Sequence, residues 1–227
     1  MRDVVIFGNG DQARTALVYL AEDSPYNVVG FTAHERFIRQ PELLGLPVFP
    51  FEAIAESHPP SDCDLFVAIG FEDNNHRRAV IFDECRAMGY ELVSYLSTRA
   101  SYWGDLKHGE NCLIGELTAL QPFVEIGNDV VISCGTMIGH DARIGDHVFI
   151  GPGVTIPGGV TIGAYSFLGA NATLRNGITI GERCIVGAGA LILNDAADEE
   201  VRVPKSTKLS PLKSSALAKF MGRRRSS

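Results

Sequence analysis

IGNDVVISCGTMIGHDARIGDHVFI, residues 126–150, repeats every six residues. Ile126, Ile132, Ile138, Ile144 and Ile150 stand in register within it. The register runs on to Ile114 and Leu120 on one side, and to Ile156, Ile162, Leu168, Leu174, Ile180, Val186 and Ile192 on the other. That makes fourteen aliphatic positions over 79 residues, nine of them followed directly by Gly. The residue two before each is small or β-branched, from Cys112 and Thr118 to Cys184 and Ala190. A helix shows a period of 3.6 and an ordinary strand a period of 2. A sustained period of six is the signature of a hexapeptide β-helix. With a one-in-four chance of Ile, Leu or Val at each position, the run would arise by chance at about 10⁻⁸.

Stacking follows from the period. Three hexads make one triangular coil, so residues one coil apart lie about 4.8 Å above one another. Ile114, Ile132, Ile150, Leu168 and Val186 should form one internal ladder. The Gly after each aliphatic residue suits a corner, where φ is positive or a side chain would collide.

Outward from the repeat, the first hundred residues read βαβαβαβ. Val4–Phe7, Val28–Phe31, Pro47–Phe49, Leu65–Ile69 and Glu91–Tyr95 are strand candidates, and Asp11–Leu20 and Asn74–Met88 are helix candidates. Such alternation predicts a small parallel sheet with covering helices. The expected organisation is a Rossmann-like α/β domain over 1–97, a connection at Ser97–Lys107, a β-helix over 108–193, and a tail over 194–227. The tail opens with an acidic loop, Asn194–Glu200, and could end in a short helix around Ser215–Met221.

Composition narrows the function classes. No apolar stretch reaches the 18 or more residues of a membrane span. Met1 to Gly8 runs straight into a strand without a secretory pattern, and the five scattered cysteines form no CxxC pair. Reduced thiols and a cytoplasmic location are expected. The net charge of −7 divides into +7 over residues 204–227 and −14 over the rest. An acidic body of that size is a poor nucleic-acid binder. The basic tail reads as a solvated or subunit-docking segment, with ligand phosphates as the alternative.

Departures from the repeat point to chemistry. One coil after His140-Asp141 stand Gly158-Gly159, and two coils after stand Asn176-Gly177. An imidazole beneath a column almost without side chains predicts a groove floored by backbone, suited to a long thin ligand. A histidine that only links two coils is the plain alternative. Asp141 can orient the ring only if 139–141 is a corner, because strand neighbours face opposite ways. At the other end, Gly8-Asn9-Gly10-Asp11-Gln12-Ala13 follows a strand and opens a helix. This fits a G-x-G-x-x-A phosphate loop. The acid that NAD binding needs after the second strand is missing, since Phe31-Thr32-Ala33 stand there. Gly70 ends the fourth strand candidate and should face the same crevice as Gly8 and Gly10. Cys134 lies one hexad before His140 and reads as a packed small residue rather than a nucleophile. No metal site is expected, because His140 and His147 are seven apart and Pro122 and Gly158 flank His140 by one coil.

Taken together, the small nucleotide-binding-like domain, the β-helix and Gly139-His140-Asp141 resemble one family. It is the bacterial sugar acyltransferases that include sialic-acid O-acetyltransferases and nucleotide-sugar N-acetyltransferases. The resemblance covers about residues 2–195. It implies a left-handed β-helix, whereas the general crossover rule would give a right-handed one. It implies a homotrimer, with acetyl-CoA lying in the groove between adjacent subunits and no metal. It implies direct attack on the thioester by an amine or hydroxyl of a sugar. His140 matches the general base and Asp141 its acidic neighbour. Gly158, Ala170 and Ala188 match positions whose backbone lines the pantetheine arm, and Gly8, Gly10 and Gly70 match the loops that hold the nucleotide of the sugar donor.

The chain departs from the family at several positions. Phe149 stands where many members carry a second His, nine residues after the base. Thr32 and Ala33 replace paired acids after the second strand, and Asp11-Gln12 replaces a frequent Gly-His. Val203-Pro204-Lys205 and the basic tail replace the usual Gly-x-Pro-Ala-Lys ending. The expected function is therefore acetyl-CoA-dependent N-acetylation of a nucleotide-linked amino sugar, which makes the chain an acyltransferase. O-acetylation on the same scaffold and a non-catalytic trimeric scaffold are the alternatives.

Overall fold

The structure is a computed structural model that describes residues 2–215 and 218. All fourteen aliphatic positions of the repeat point inward and are at most 5% exposed. The small residues two before them are equally buried, from Cys112 to Ala190, and the two sets fill one continuous core. Burying an Ile or Leu side chain contributes about 1.5–3 kcal/mol, so the ladder is the main stabilising element of this half.

Each hexad supplies a two-residue strand, and the strands stack in parallel into three faces. Face 1 holds Val131–Ile132, Phe149–Ile150 and Phe167–Leu168, face 2 holds Met137–Ile138 and Thr155–Ile156, and face 3 holds Arg143–Ile144 and Thr161–Ile162. Residues 18 apart pair across each face, such as Ile132 with Ile150 and Ile144 with Ile162.

The corners differ from the sequence expectation. The glycines that follow the aliphatic residues do not have positive φ. Their constraint is contact: a Cβ on Gly139 would lie 2.3 Å from the amide nitrogen of Gly158, and one on Gly145 would lie 2.8 Å from that of Ala164. Positive φ falls three residues after each aliphatic position from Ile114 to Val186. It forms three columns: Asn111, Asp129, His147 and Tyr165 where face 3 meets face 1; Leu117, Gly135, Gly153 and Asn171 where face 1 meets face 2; and Phe123, Asp141, Gly159 and Gly177 where face 2 meets face 3. Left-handed backbone thus turns every corner, often without glycine.

The N-terminal half is a five-stranded sheet in the order β3-β4-β2-β1-β5. Its strands are β1 (Asp3–Phe7), β2 (Asn27–Ala33), β3 (Glu42–Leu43), β4 (Leu46–Pro50) and β5 (Cys63–Val67). β4, β2, β1 and β5 run parallel, and β3 forms an antiparallel edge hairpin with β4. Helices α1 (Asp11–Glu22), α2 (Ile54–Ser57) and α3 (His76–Ala87) accompany the sheet. Two expected segments behave otherwise. Glu91–Tyr95 is not a sixth strand of this sheet: Leu92 makes a single bridge to Leu65, and Tyr95–Leu96 pairs with Leu113–Ile114 to start face 1. Asn194–Glu200 is not a free loop either, since Ala196 bridges Ile180 and Val201–Arg202 pairs with Ile185–Val186. Exposed edges of a β-helix attract whatever chain adjoins them, so the coil gains rungs at both ends. The terminal helix expected at Ser215–Met221 lies outside the described residues, apart from Ser215 and Ala218.

The two halves meet through α3 and the corner between faces 3 and 1. Arg78 is fully buried there. It donates to the Asp129 carboxylate at 3.0 Å, to the Asp129 carbonyl at 3.0 Å and to the His147 carbonyl at 3.1 Å. Asn111 donates to the other carboxylate oxygen of Asp129 at 2.7 Å, and His147 Nδ1 lies 2.9 Å from the carboxylate. His147 therefore serves this joint and is not a second member of the His140 site.

Candidate active site

His140 and Asp141 occupy the corner between faces 2 and 3, because Ile138 ends a strand of face 2 and Arg143 begins one of face 3. Asp141 has φ +57°, which turns the chain and brings its side chain round to the ring. His140 Nδ1 lies 2.7 Å from Asp141 Oδ2. A carboxylate only accepts, so in the neutral ring Nδ1 carries the proton and Nε2 the lone pair. The main chain of His140 is also fixed: its amide donates to Gln121 Oε1 at 2.9 Å, and its carbonyl accepts from the Gly159 amide at 2.8 Å. The side chain is 63% exposed. Its Nε2 rests against Gly158, where an added Cβ would be 2.6 Å away. One coil further stand Asn176 and Gly177, and Gly177 has nothing within 4 Å of where a Cβ would stand. The imidazole thus borders the bare backbone of Gly158 and Gly159.

Gly8, Gly10 and Gly70 line one cavity of about 900 Å³ at the C-terminal ends of β1, β2 and β5. Gly8 has φ +136°, and a Cβ there would be 2.7 Å from the Ala68 carbonyl oxygen, so only glycine lets the two strand-end loops cross so closely. Gly10 caps α1 without a side-chain hydrogen bond. The other walls mix Arg36, Phe37 and Arg39 from the segment after β2, and His76 and Arg77 from α3, with the carboxylates of Asp11, Glu42, Glu72 and Glu84; Arg77 pairs with Glu72 at 2.5 Å. The Arg36 and Arg77 guanidiniums lie 4.8 and 5.8 Å from the Phe37 ring centre, and Asn9 ties the glycine loop to the Phe37 carbonyl at 2.8 Å. Sequence reading missed these residues because they come from separate segments and share no spacing. A second cleft of about 910 Å³, at the opposite end of the strands, carries five carboxylates, Glu22, Asp23, Asp64, Glu91 and Glu110, against the single guanidinium of Arg2. That lining repels phosphate.

The remaining candidates stand elsewhere. Ala170 and Ala188 stack on the corner between faces 1 and 2, separated from His140 and Gly158 by the whole of face 2. Cys134 is on that same corner and therefore not beside His140. Phe149 points outward from face 1, yet is only 6% exposed. One chain therefore carries the cavity within its N-terminal half, the imidazole at the corner of faces 2 and 3, and the alanines at the corner of faces 1 and 2. Among the described residues, no group of three His, Cys, Asp or Glu side chains could hold a metal ion.

Comparison with known proteins gives the same class. The bacterial transferase hexapeptide family (six repeats) matches residues 125–158, 141–176 and 159–194. PerB from Caulobacter crescentus, solved with CoA and GDP-perosamine, is 29% identical with a TM-score of 0.78, over 89% of this chain and 94% of that one. A histidine-to-asparagine mutant of the same organism's perosamine N-acetyltransferase, also with CoA and GDP-perosamine, is 28% identical with a TM-score of 0.80, over 89% and 93%. The acetyltransferase domain of PglB from Neisseria gonorrhoeae FA1090, with acetyl coenzyme A, shares the fold at 24% identity and a TM-score of 0.81, over 89% and 96%. No curated protein matches the sequence. With the transferase hexapeptide repeat in its second half and the fold of these enzymes along most of its length, the protein is an acyltransferase built on a left-handed parallel β-helix.

Proposed function

We propose that the protein transfers the acetyl group of acetyl-CoA to the amino group of a nucleotide-linked amino sugar. The observation that carries this reading is the state of His140: Asp141 holds its Nδ1 at 2.7 Å, and Nε2 is left free over bare backbone. In the proposed reaction the sugar amine attacks the thioester carbonyl carbon. Nε2 of His140 takes the amine proton as the C–N bond forms. Backbone amides at the coil edge stabilise the oxyanion. The C–S bond then breaks, and the leaving thiolate receives the proton. A positioned base of this kind typically contributes about 10²–10⁴-fold.

The nucleotide would occupy the cavity at Gly8, Gly10 and Gly70, with the guanidiniums of Arg36, Arg39 and Arg77 facing its phosphates. Pantetheine would run past Gly158 on one subunit and past Ala170 and Ala188 on its neighbour. That arrangement accounts for why these residues sit on different corners of one prism: the site is completed by adjacent copies, three around an axis. The relative that binds both CoA and GDP-perosamine supports the substrate class.

The test is a mass-spectrometric screen. The protein is incubated with acetyl-CoA and a panel of UDP-, GDP- and dTDP-linked amino sugars, including GDP-perosamine. The expected product is about 42 daltons heavier, the composition change of one acetyl for one hydrogen, which reads out acyl transfer. Acetylation of hydroxyl-bearing sugars alone would overturn the amine. In parallel, acetyl-CoA at 100 times its Kd should stabilise the fold by about 2.7 kcal/mol. No stabilisation would mark the β-helix as a scaffold.

A further inference from the structure

The loop after β5 has two sides. Gly70 and Glu72 line the nucleotide cavity, whereas the Phe71 ring between them turns to the β-helix. It lies 5.2 Å from the Phe149 ring and 4.6 Å from the Phe167 ring, and those two stack 5.7 Å apart on face 1. Packing of that kind usually buries an aromatic ring, yet Phe71 remains 51% exposed. Its position is also enforced. Asp73, Asn74 and Asn75 take positive φ in succession, at 51°, 48° and 69°. Side chains of Asn74 and Asn75 anchor this turn to the carbonyls of Arg183 and Tyr165 at 3.0 and 3.1 Å. Three consecutive non-glycine residues in the left-handed region carry a conformational cost, of the sort that collects at binding sites.

We infer that Phe71, backed by Phe149 and Phe167, is the platform on which the pyranose ring of the nucleotide-linked sugar lies. This rests on the function proposed above and adds a residue that determines sugar binding. The platform adjoins the cavity through the Gly70–Glu72 backbone. A pyranose has one face of C–H bonds and a rim of polar groups. An exposed aromatic face takes up such a surface and leaves the rim free. The amine then points away from the rings, toward the His140 of an adjacent subunit. The phosphates stay with the cavity, so the platform should not sense a nucleotide that lacks its sugar.

Calorimetric titration of Phe71→Ala and Phe71→Leu, against the wild type, tests this with GDP-perosamine and a UDP-linked amino sugar, each paired with its free diphosphate. Phe71→Ala should bind the nucleotide sugar about 3–10-fold more weakly, as loss of an aromatic contact implies, and the free diphosphate unchanged. Phe71→Leu keeps apolar bulk without a ring face and should show the same selectivity should the alanine variant fold poorly. Equal weakening for sugar-bearing and sugar-free ligands would overturn the platform, as would no weakening for either. A wild type that binds neither amino sugar would instead sink the proposed function, and the platform with it.

Discussion

Arg78 and Asp129 form an ion pair at 3.0 Å with both side chains fully buried, and this pair joins the N-terminal α/β half to the β-helix. The guanidinium also satisfies two corner carbonyls, so both charges are desolvated but fully paired. Removing Arg78 leaves the buried Asp129 carboxylate without its guanidinium, with only Asn111 and His147 as hydrogen-bond partners. Arg78→Met should therefore destabilise the protein by about 3–5 kcal/mol. Urea unfolding followed by circular dichroism reads the loss; a midpoint equal to wild type would show that the joint contributes nothing.

His140→Ala should leave the fold intact and lower turnover by at least about 100-fold, the lower range for a positioned base. Asp141→Asn keeps the corner and should cost less, because the ring loses its charged acceptor but can still bond the amide oxygen. Steady-state rates of both variants order the two roles. Near-normal turnover without the imidazole would remove it as the base.

Gly158 and Gly139 should respond differently to a single methyl. Alanine at 158 meets His140 Nε2 at 2.6 Å, the far end of an exposed side chain that can swing aside. Gly158→Ala should lose activity with little change in Tm. Alanine at 139 meets backbone at 2.3 Å and nothing there can yield without moving a coil. Gly139→Ala should lose stability by about 1–3 kcal/mol, as overpacking does. Paired melting curves and rates decide it, and the reverse pattern would refute the groove geometry.

Asp23 supplies a pH test of the connection between the halves. Hydrogen bonds from Thr98, Tyr95 and Ser97 lower its carboxyl pKa from 3.8 to about 2. The folded state favours the charged form, so this contribution is present above the ordinary value and fades as pH falls from about 4 to about 2. Asp23→Asn should lower Tm by about 2–4 °C at neutral pH, allowing for solvent screening. The gap to wild type should narrow as the pH is taken below 4. A gap that persists unchanged would show that the charge is not what counts.

The period of six was legible from the chain alone because every core position in a β-helix is set by its own repeat. The ladder from Ile114 to Ile192 and the corner at His140-Asp141 follow from counting. The purpose of the corner glycines was only half legible. Gly139 is required by the backbone of the next coil, a contact 18 residues away, while the positive φ belongs to Asp141. Arg36, Phe37, Arg77 and Phe71 gave no signal at all, since their roles arise where separate segments converge. The sequence by itself determined the prism and the phase of each residue on it, because local repetition dictates which side chains face inward. Tertiary structure alone decided where the cavity at Gly8, Gly10 and Gly70 stands relative to that prism. The reason is that Arg78 fixes the first domain to one corner through carbonyls and a carboxylate, and no periodicity encodes that contact.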